Sequence, residues 1–348
     1  MVSCMLNNAK QGALQMKVTV RDIAKAAGVS PATVSNAFSG NNRIGEETRL
    51  RVLEIARQMG YREISQTQLN RSIHFVIFRR HGRVVIDSPF FSELISGIES
   101  ACRGLRYELS ISYAYPGDRE LIDSLLRETK RPLLLLATEM STEDIRPFLK
   151  VKAPMVVLDS RFMDISFSTV HIDNIKAGYI AGMHFAERGH RRFGMLTSSI
   201  PFNNVRDRRM GFEQALNERG CRLLEEDVFA LDPTVEGAYE DMFRILEERK
   251  DMLPTAVFAF NDLVAAGAIR AMKQHGIRIP DDVSVIGMDN LPTVSMLNPA
   301  LTSVNVPKYE MGRVAVEQLI RMADDREQPL VKTAVDVQLT ERDSVRSF

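Results

Sequence analysis

The chain of 348 residues contains no tryptophan and only three cysteines, Cys4, Cys102 and Cys221. They are far apart, odd in number and form no Cys-x-x-Cys pair. This argues against a disulfide framework or a cysteine-based zinc cluster and fits a reducing, cytoplasmic setting. No apolar run approaches the ~18 residues that a membrane span needs, so no membrane association is expected. The opening MVSCMLNNAKQGALQMK has no apolar stretch of the ~7–15 residues found in a secretory signal. Residues 1–16 are expected to form a disordered leader. No nucleophile–base motif, phosphate loop or metal cluster is present, so neither an enzyme nor a cofactor is expected. An excess of either charge is also missing: 45 Lys and Arg balance 45 Asp and Glu, which taken whole argues against a nucleic-acid partner.

What is present is ordinary globular material. Hydrophobic residues make up 45% and charged ones 26%, enough apolar matter for a substantial core. The length suits two or three domains of ~100–200 residues.

The zero charge conceals a division. Residues 1–72 carry ten basic and five acidic groups, a surplus of +5, and the remaining 276 residues carry −5. The basic head reads as three short helices. Thr19 precedes Val20-Arg21-Asp22, a Thr-x-x-Asp variant of the capping box, and Ile23, Ala24, Ala26 and Ala27 supply a small apolar face. Gly28 breaks the first helix. Ser30 caps a second, with Pro31 at its first position and Gly40 at its end. A third runs from about Glu46 to Met59 with the stripe Leu50, Leu53, Ile55, Ala56 and Met59, and Gly60 follows it.

The body alternates short apolar runs (74–78, 107–113, 132–137, 154–159, 193–197, 255–260 and 283–288) with amphipathic stretches of helical length. This pattern predicts parallel sheets covered on both faces. About 275 residues is large for one such sheet, so two α/β subdomains are expected. Ligands bind outside the C-terminal ends of strands in such folds.

The stretch 18–61 contains GVSPATVS, then EETR, then GY, and resembles the DNA-binding headpiece of the LacI/GalR family of bacterial transcription regulators. The resemblance runs on through SPFFSELISGIE (88–99), HIDN (171–174), RGH (188–190), RDRRMGF (206–212), PTAVFAFND (254–262), IPDDVSVIGMDN (279–290), LTSVNVP (301–307) and LTERDS (339–344). It implies the following division: a helix-turn-helix domain over 17–62, a hinge linker over 63–72, and an effector-binding and dimerisation body over 73–348. The body would resemble a periplasmic binding protein, with two doubly wound α/β subdomains, a cleft between them and three chain crossings.

The resemblance further implies a homodimeric regulator, acting as a repressor, on double-stranded operator DNA, controlled by a small carbohydrate-type effector. The C-terminal end lacks a heptad extension, which favours a dimer over a tetramer. A transport or chemoreceptor binding protein without DNA function is the alternative reading of the body alone. The positions matching Pro31, Ala32 and Asn36 read bases in the family. Those matching Thr19, Ser30, Thr33 and Ser35 mostly contact phosphates. A carboxamide such as Asn36 pairs bidentately with adenine in the major groove, and a plain polar surface residue is the competing reading. Arg21, Lys25, Arg43, Arg49 and Arg62 read as phosphate ligands or as solubilising charge. The hinge departs from the family: Glu63 and Ile64 replace Pro-Asn, and no Ala-Arg-Ser-Leu follows. Leu69 is the only nearby minor-groove wedge candidate, or else packs on the body.

In the body, the Arg three residues before Gly-Phe is Arg208, and Arg206 is a second candidate for the effector site. Asp159, Asn261 and Asp289 stand at strand or loop ends that match effector-contacting positions. Phe90 and Phe91 match an aromatic pair near the cleft mouth, placed either to stack on a flat ligand or in the core. Asp173 and Asp262 read as helix caps, and the histidines show no metal spacing. The segment after the first strand carries Arg79, Arg80, His81 and Arg83. Such a basic loop over the cleft points to an anionic sugar. A solvated hairpin or an interface with the second subunit are the alternatives.

Overall fold

The computed structural model describes residues 18–39, 44–59, 71–82, 84, 88–128, 130–249, 253–325 and 327–348. The wedge candidate Leu69, the loop residue Arg83, the leader and most of the linker lie outside these. The chain forms two compact units, Met1–Arg71 and Ser72–Phe348.

In the first unit, α1 (Val20–Ala27) begins at Thr19 with a complete capping box. The Thr19 N–H donates to Asp22 Oδ2 at 2.8 Å, and the Asp22 N–H returns to Thr19 Oγ1 at 3.4 Å. Gly28 ends it with φ 65°, a left-handed conformation that costs glycine nothing. At the start of α2 (Pro31–Ser39), Ser30 Oγ accepts the Thr33 N–H at 3.0 Å. With α3 (Glu46–Gln58) these helices enclose Ile23, Ala24, Ala27, Val34, Ala37, Val52 and Ala56. Two expected face residues are displaced. Leu50 is 60% exposed, and the third helix turns Val52 inward instead. Val52, Ala56 and Met59 follow the spacing of one helical face, which places Leu50 off the stripe. Ala26 is also exposed.

Among the described residues the second unit holds twelve strands. They are β1 (Ser72–Phe78), β2 (Glu108–Ala114), β3 (Leu133–Leu136), β4 (Met155–Leu158), β5 (Ser168–Ile172), β6 (Phe193–Ser198), β7 (Leu223–Leu231), β8 (Ala256–Ala259), β9 (Ser284–Asp289), β10 (Thr302–Asn305), β11 (Lys332–Val335) and β12 (Gln338–Thr340). One sheet runs in the order β11-β5-β4-β3-β1-β2, all parallel, and the other in the order β12-β10-β9-β8-β6-β7, parallel except for β12. In each sheet the strand order reverses beside the first strand, the switch point at which doubly wound folds bind ligands. The backbone passes between the sheets at 172–174, 305–308 and 335–338. The segment between the last two contains the helix Lys308–Asp324, which packs on Pro89–Gly104 of the first half.

Burial explains the strands. Along β1, Phe75 and Ile77 enter one apolar cluster while Val76 and Phe78 enter another, so both faces are covered. The helices Asn174–Glu187 and Asn203–Glu218 meet backbone to backbone. A Cβ on Gly178 would stand 1.8 Å from the Arg208 carbonyl oxygen, and one on Gly211 would stand 1.8 Å from that of Ile175. Glycine at both places is therefore what sets the position of the helix that carries Arg208.

Candidate functional site

In the head, the second helix offers a compact face of small and polar residues. Pro31, Ala32 and Ser35 are exposed, Thr33 and Asn36 are half-buried, and Val34 and Ala37 are buried beneath them. The hydroxyls of Ser30 and Thr33 lie 2.8 Å apart, and Thr19 is exposed at the start of α1. Arg21 and Lys25 are exposed as well. All seven residues expected to meet DNA thus belong to one small unit and are accessible at least in part.

In the body, the buried charges of Asp159, Arg208 and Asp289 come together in one cleft. Every strand-end segment on its walls comes from a C-terminal end. Val84, Ser88, Phe90 and Phe91 follow β1, Thr138 follows β3, and Asp159 follows β4. From the other sheet come Phe202, Asn204, Val205 and Arg208 after β6, Phe260 and Asn261 after β8, and Asp289 at the end of β9. Six of the seven expected effector residues are therefore gathered here: Phe90, Phe91, Asp159, Arg208, Asn261 and Asp289. The phenylalanine pair stands in the core and at the same time lines the cleft. The rings are 4% and 5% exposed and meet edge to face with centroids 5.0 Å apart.

Arg208 is buried and its fork is fixed by two partners. Nε donates to Asn174 Oδ1 at 2.8 Å, and Nη1 donates to the Phe260 carbonyl oxygen. Burial lowers its pKa, opposed by the carboxylates of Asp289 and Asp159. Those two acids are also buried. Burial pushes Asp159 up to about 6, against hydrogen bonds from Thr138 at 2.7 Å and Asn204 at 3.3 Å and the charge of Arg208. Burial pushes Asp289 up to about 7, against Arg208 and Lys308. Both residues have left-handed backbones, φ 59° at Asp159 and φ 100° at Asp289. Such strain in non-glycine residues costs on the order of 1–3 kcal/mol and concentrates at functional sites. Behind Asp289, burial and then repulsion from Asp289 raise Asp262 to about 8.

Several expectations are corrected. Arg206 does not line the cleft: it is half-exposed and its Nη2 lies 3.2 Å from Asp207. Arg79 and Arg80 turn elsewhere. Arg79 lies 3.8 Å over the Tyr113 ring, and Arg80 pairs with Asp144 and donates to Ser141 Oγ at 3.1 Å. His81 is exposed and absent from the cleft wall. The loop is fastened by Glu139, whose carboxylate accepts the N–H groups of Arg80, His81, Gly82 and Val84 at 2.8–3.2 Å. Asp262 is not a cap. Asn261 caps the helix Asp262–Gln274, accepting the Val264 N–H at 2.9 Å, while Asp262 accepts from Leu291 N–H and Ser303 Oγ. Asp173 does cap Asn174–Glu187.

Sequence reasoning missed Thr138, Asn204 and Phe202. Their only signal was position, one or a few residues past a strand. Among the described residues no group of three His, Cys, Asp or Glu is arranged to hold a metal ion, and no helix is long and apolar enough to cross a membrane.

The helix-turn-helix head and the cleft between two parallel sheets define a ligand-responsive DNA-binding regulator. Residues 19–63 match the model of the lacI family of bacterial regulatory proteins, and residues 183–345 match that of the periplasmic binding protein-like domain. The chain belongs to the LacI family and is a DNA-binding transcriptional repressor with a ligand-binding effector domain. It is 32% identical to the HTH-type transcriptional repressor PurR of Edwardsiella ictaluri, over 94% of this chain and 96% of that one. Among solved structures it resembles the transcriptional regulator CelR in complex with cellobiose (TM-score 0.71, 25% identity, 94% of this chain and 99% of that one). It also resembles a LacI family regulator from Enterococcus faecium with bound ribose (TM-score 0.67, 27% identity, 79% and 99%).

Proposed function

We propose that this repressor binds a pseudo-palindromic operator as a cytoplasmic homodimer, and that a small neutral ring compound of carbohydrate type sets its operator affinity. Pro31, Ala32 and Asn36 meet base edges, and Thr19, Ser30, Thr33 and Ser35 meet phosphates, as expected for a second helix lying in the major groove. Residues 17–62 form the reading domain, 63–72 the linker and 73–348 the sensing body.

The observation that carries the effector reading is the charge balance of the cleft. One guanidinium, Arg208, faces two carboxylates, Asp159 and Asp289, within walls that include Phe90, Phe91, Phe202 and Phe260. Carboxylates accept hydroxyl protons, the guanidinium donates to ring or hydroxyl oxygens, and an aromatic wall takes the apolar face of a ring. An acidic ligand would set its charge against Asp159 and a partly ionised Asp289, which already share Arg208 and Lys308, while Arg206 and Arg80 are already paired with acids outside the cleft. Similar structures hold cellobiose and ribose, both neutral sugars. The four phenylalanines also favour a second reading, a flat neutral heterocycle. The same carboxylates serve binding rather than acid–base catalysis, so the chain acts as a regulator and not as an enzyme.

The effector biases the body by its differential affinity for two arrangements of the sheets. Two measurements test this. A mobility-shift titration on the DNA upstream of the gene should show retardation that weakens steeply with salt. Calorimetry with cellobiose, ribose and glucuronate should show binding only among neutral rings; glucuronate binding while the neutral sugars fail would overturn the charge argument.

A further inference from the structure

At the rim of the cleft, two short stretches face each other across the boundary between the sheets. One follows β4 and contains Asp159, Ser160 and Arg161. The other opens the helix Asn203–Glu218 and contains Asn203, Asn204, Asp207 and Arg208. Asp159, Asn204 and Arg208 line the cleft, and Asn204 Nδ2 also donates across the boundary to the Asp159 carbonyl oxygen at 3.0 Å. Their chain neighbours pair across the boundary as well. Asn203 Nδ2 donates to Ser160 Oγ at 3.2 Å, and Arg161 approaches Asp207 Oδ2 through Nε at 3.2 Å and Nη2 at 3.1 Å. The Asp207 carboxyl is 5% exposed, and its other oxygen is held by Arg206 of the same helix.

A carboxylate buried to that degree is held in place by its cationic partners, and removing one leaves it poorly compensated. The three chain crossings join the two halves covalently and remain whatever the halves do. The Arg161–Asp207 pair is different: it joins residues 46 positions apart, one from each half, and nothing covalent keeps it formed.

We propose that Arg161 and Asp207 form a latch that holds the two halves of the body closed over the cleft, and that breaking this ion pair is what opening requires. Each latch residue lies within two positions of a residue that lines the cleft. A ligand that draws Asp159 and Arg208 toward itself thereby brings Arg161 and Asp207 into range, and one that separates them breaks the latch. The device needs only two arrangements of packed elements, with the ligand biasing one of them. It concerns closure and holds for any occupant of the cleft.

The test measures the distance between the halves of one protomer by pulsed spin-label spectroscopy, with the labelled full-length chain mixed into an excess of unlabelled chain. Labels are carried by Glu120→Cys in the first half and Glu226→Cys in the second, with Cys4→Ser, Cys102→Ala and Cys221→Ser. The chain with the latch intact should give one narrow distance distribution. Arg161→Met and Asp207→Asn should each add a longer population, and the double variant should open no further than either alone. Arg206→Met should leave the distribution unchanged, because Arg206 and Asp207 share a helix. Unaltered distributions in Arg161→Met and Asp207→Asn would overturn the proposal, as would equal opening in Arg206→Met. Should Asp207→Asn lose its cooperative melt, Arg161→Met, at a partly exposed loop position, carries the test alone.

Discussion

Thr19 and Asp22, three residues apart, satisfy each other at the start of the first helix, as do Ser30 and Thr33 at the second. In the body, Arg208 finds its partners 34 and 52 residues away, at Asn174 and Phe260, and Asp159 finds Thr138 at a distance of 21. The head keeps its polar groups near water and pairs them locally. The body takes a guanidinium and three carboxyls out of water and pairs them across two sheets. A surface that must meet a polyanion loses nothing by being wet. A pocket that must distinguish one small ring from another gains from low dielectric, where each hydrogen bond counts for more.

The contrast is sharpest if Arg208 is removed. Arg208→Met leaves Asp159 and Asp289 buried without their guanidinium, a defect that costs about 3–5 kcal/mol when one partner of a buried pair is lost. The loss should be full at pH 8 and much smaller at pH 5.5, where both carboxyls take up protons. Urea unfolding of the body at the two pH values reads this, and an equal loss at both would show that the acids are not charged partners of Arg208. The head should unfold unchanged.

A second expected effect needs no substitution. Asp289 and Asp262 have folded pKa values of about 7 and about 8, raised above the unfolded value. The folded body therefore holds protons that the unfolded chain has released, and their stabilising contribution is lost as pH rises through those values. Between pH 7 and 8.5 the body should lose on the order of 2 kcal/mol, and Asp262→Asn should remove most of that slope. His184 and His190 act in the opposite sense lower down. Burial depresses both to about 4, so their contribution is present above 6.5 and is lost as pH falls through that window. In the head Asp22 is held below the usual carboxylate range by its hydrogen bonds to Thr19, so its contribution is lost only in acid. A head melt that follows the body between pH 7 and 8.5 would break the comparison.

Smaller effects belong to the head. Asn36→Ala should cost ~1–3 kcal/mol at operators with adenine at the read position and little at others; uniform loss across a panel of operator variants would remove Asn36 from base reading. Thr19→Ala should lower head stability by about 1 kcal/mol through loss of the cap. Thermal unfolding followed by circular dichroism would show it, with the body transition unmoved.

The same contrast governs what could be read from the residues alone. The capping box at Thr19, the break at Gly28 and the cap at Ser30 are signals within three or four residues, and all stand in the structure. The apolar strands of the body were equally plain. β5, β7, β10 and β11 were passed over because STVHI, LLEEDVFAL, TSVN and KTAV each carry polar residues, yet every residue of β5 is buried. Arg208, Asp159 and Asp289 were found by their places at strand ends and by resemblance. The loop arginines misled because charge sign was visible and pairing was not. The acid that claims Arg80 lies 64 residues on, at Asp144. For Arg206 the acid is its own neighbour, Asp207, and only the turn of the helix decides that the side chain points away from the cleft.

The glycine contact between Gly178 and Gly211 leaves the helix Asn203–Glu218 no freedom to slide along its neighbour, because each backbone fills the gap left by the other's missing side chain. Arg208 is thereby held against Asn174–Glu187, to which it also donates at Asn174, and the first turn of that helix adjoins the passage between the sheets at 172–174. At these two contacts the helices meet through backbone, with no side chain between them to repack.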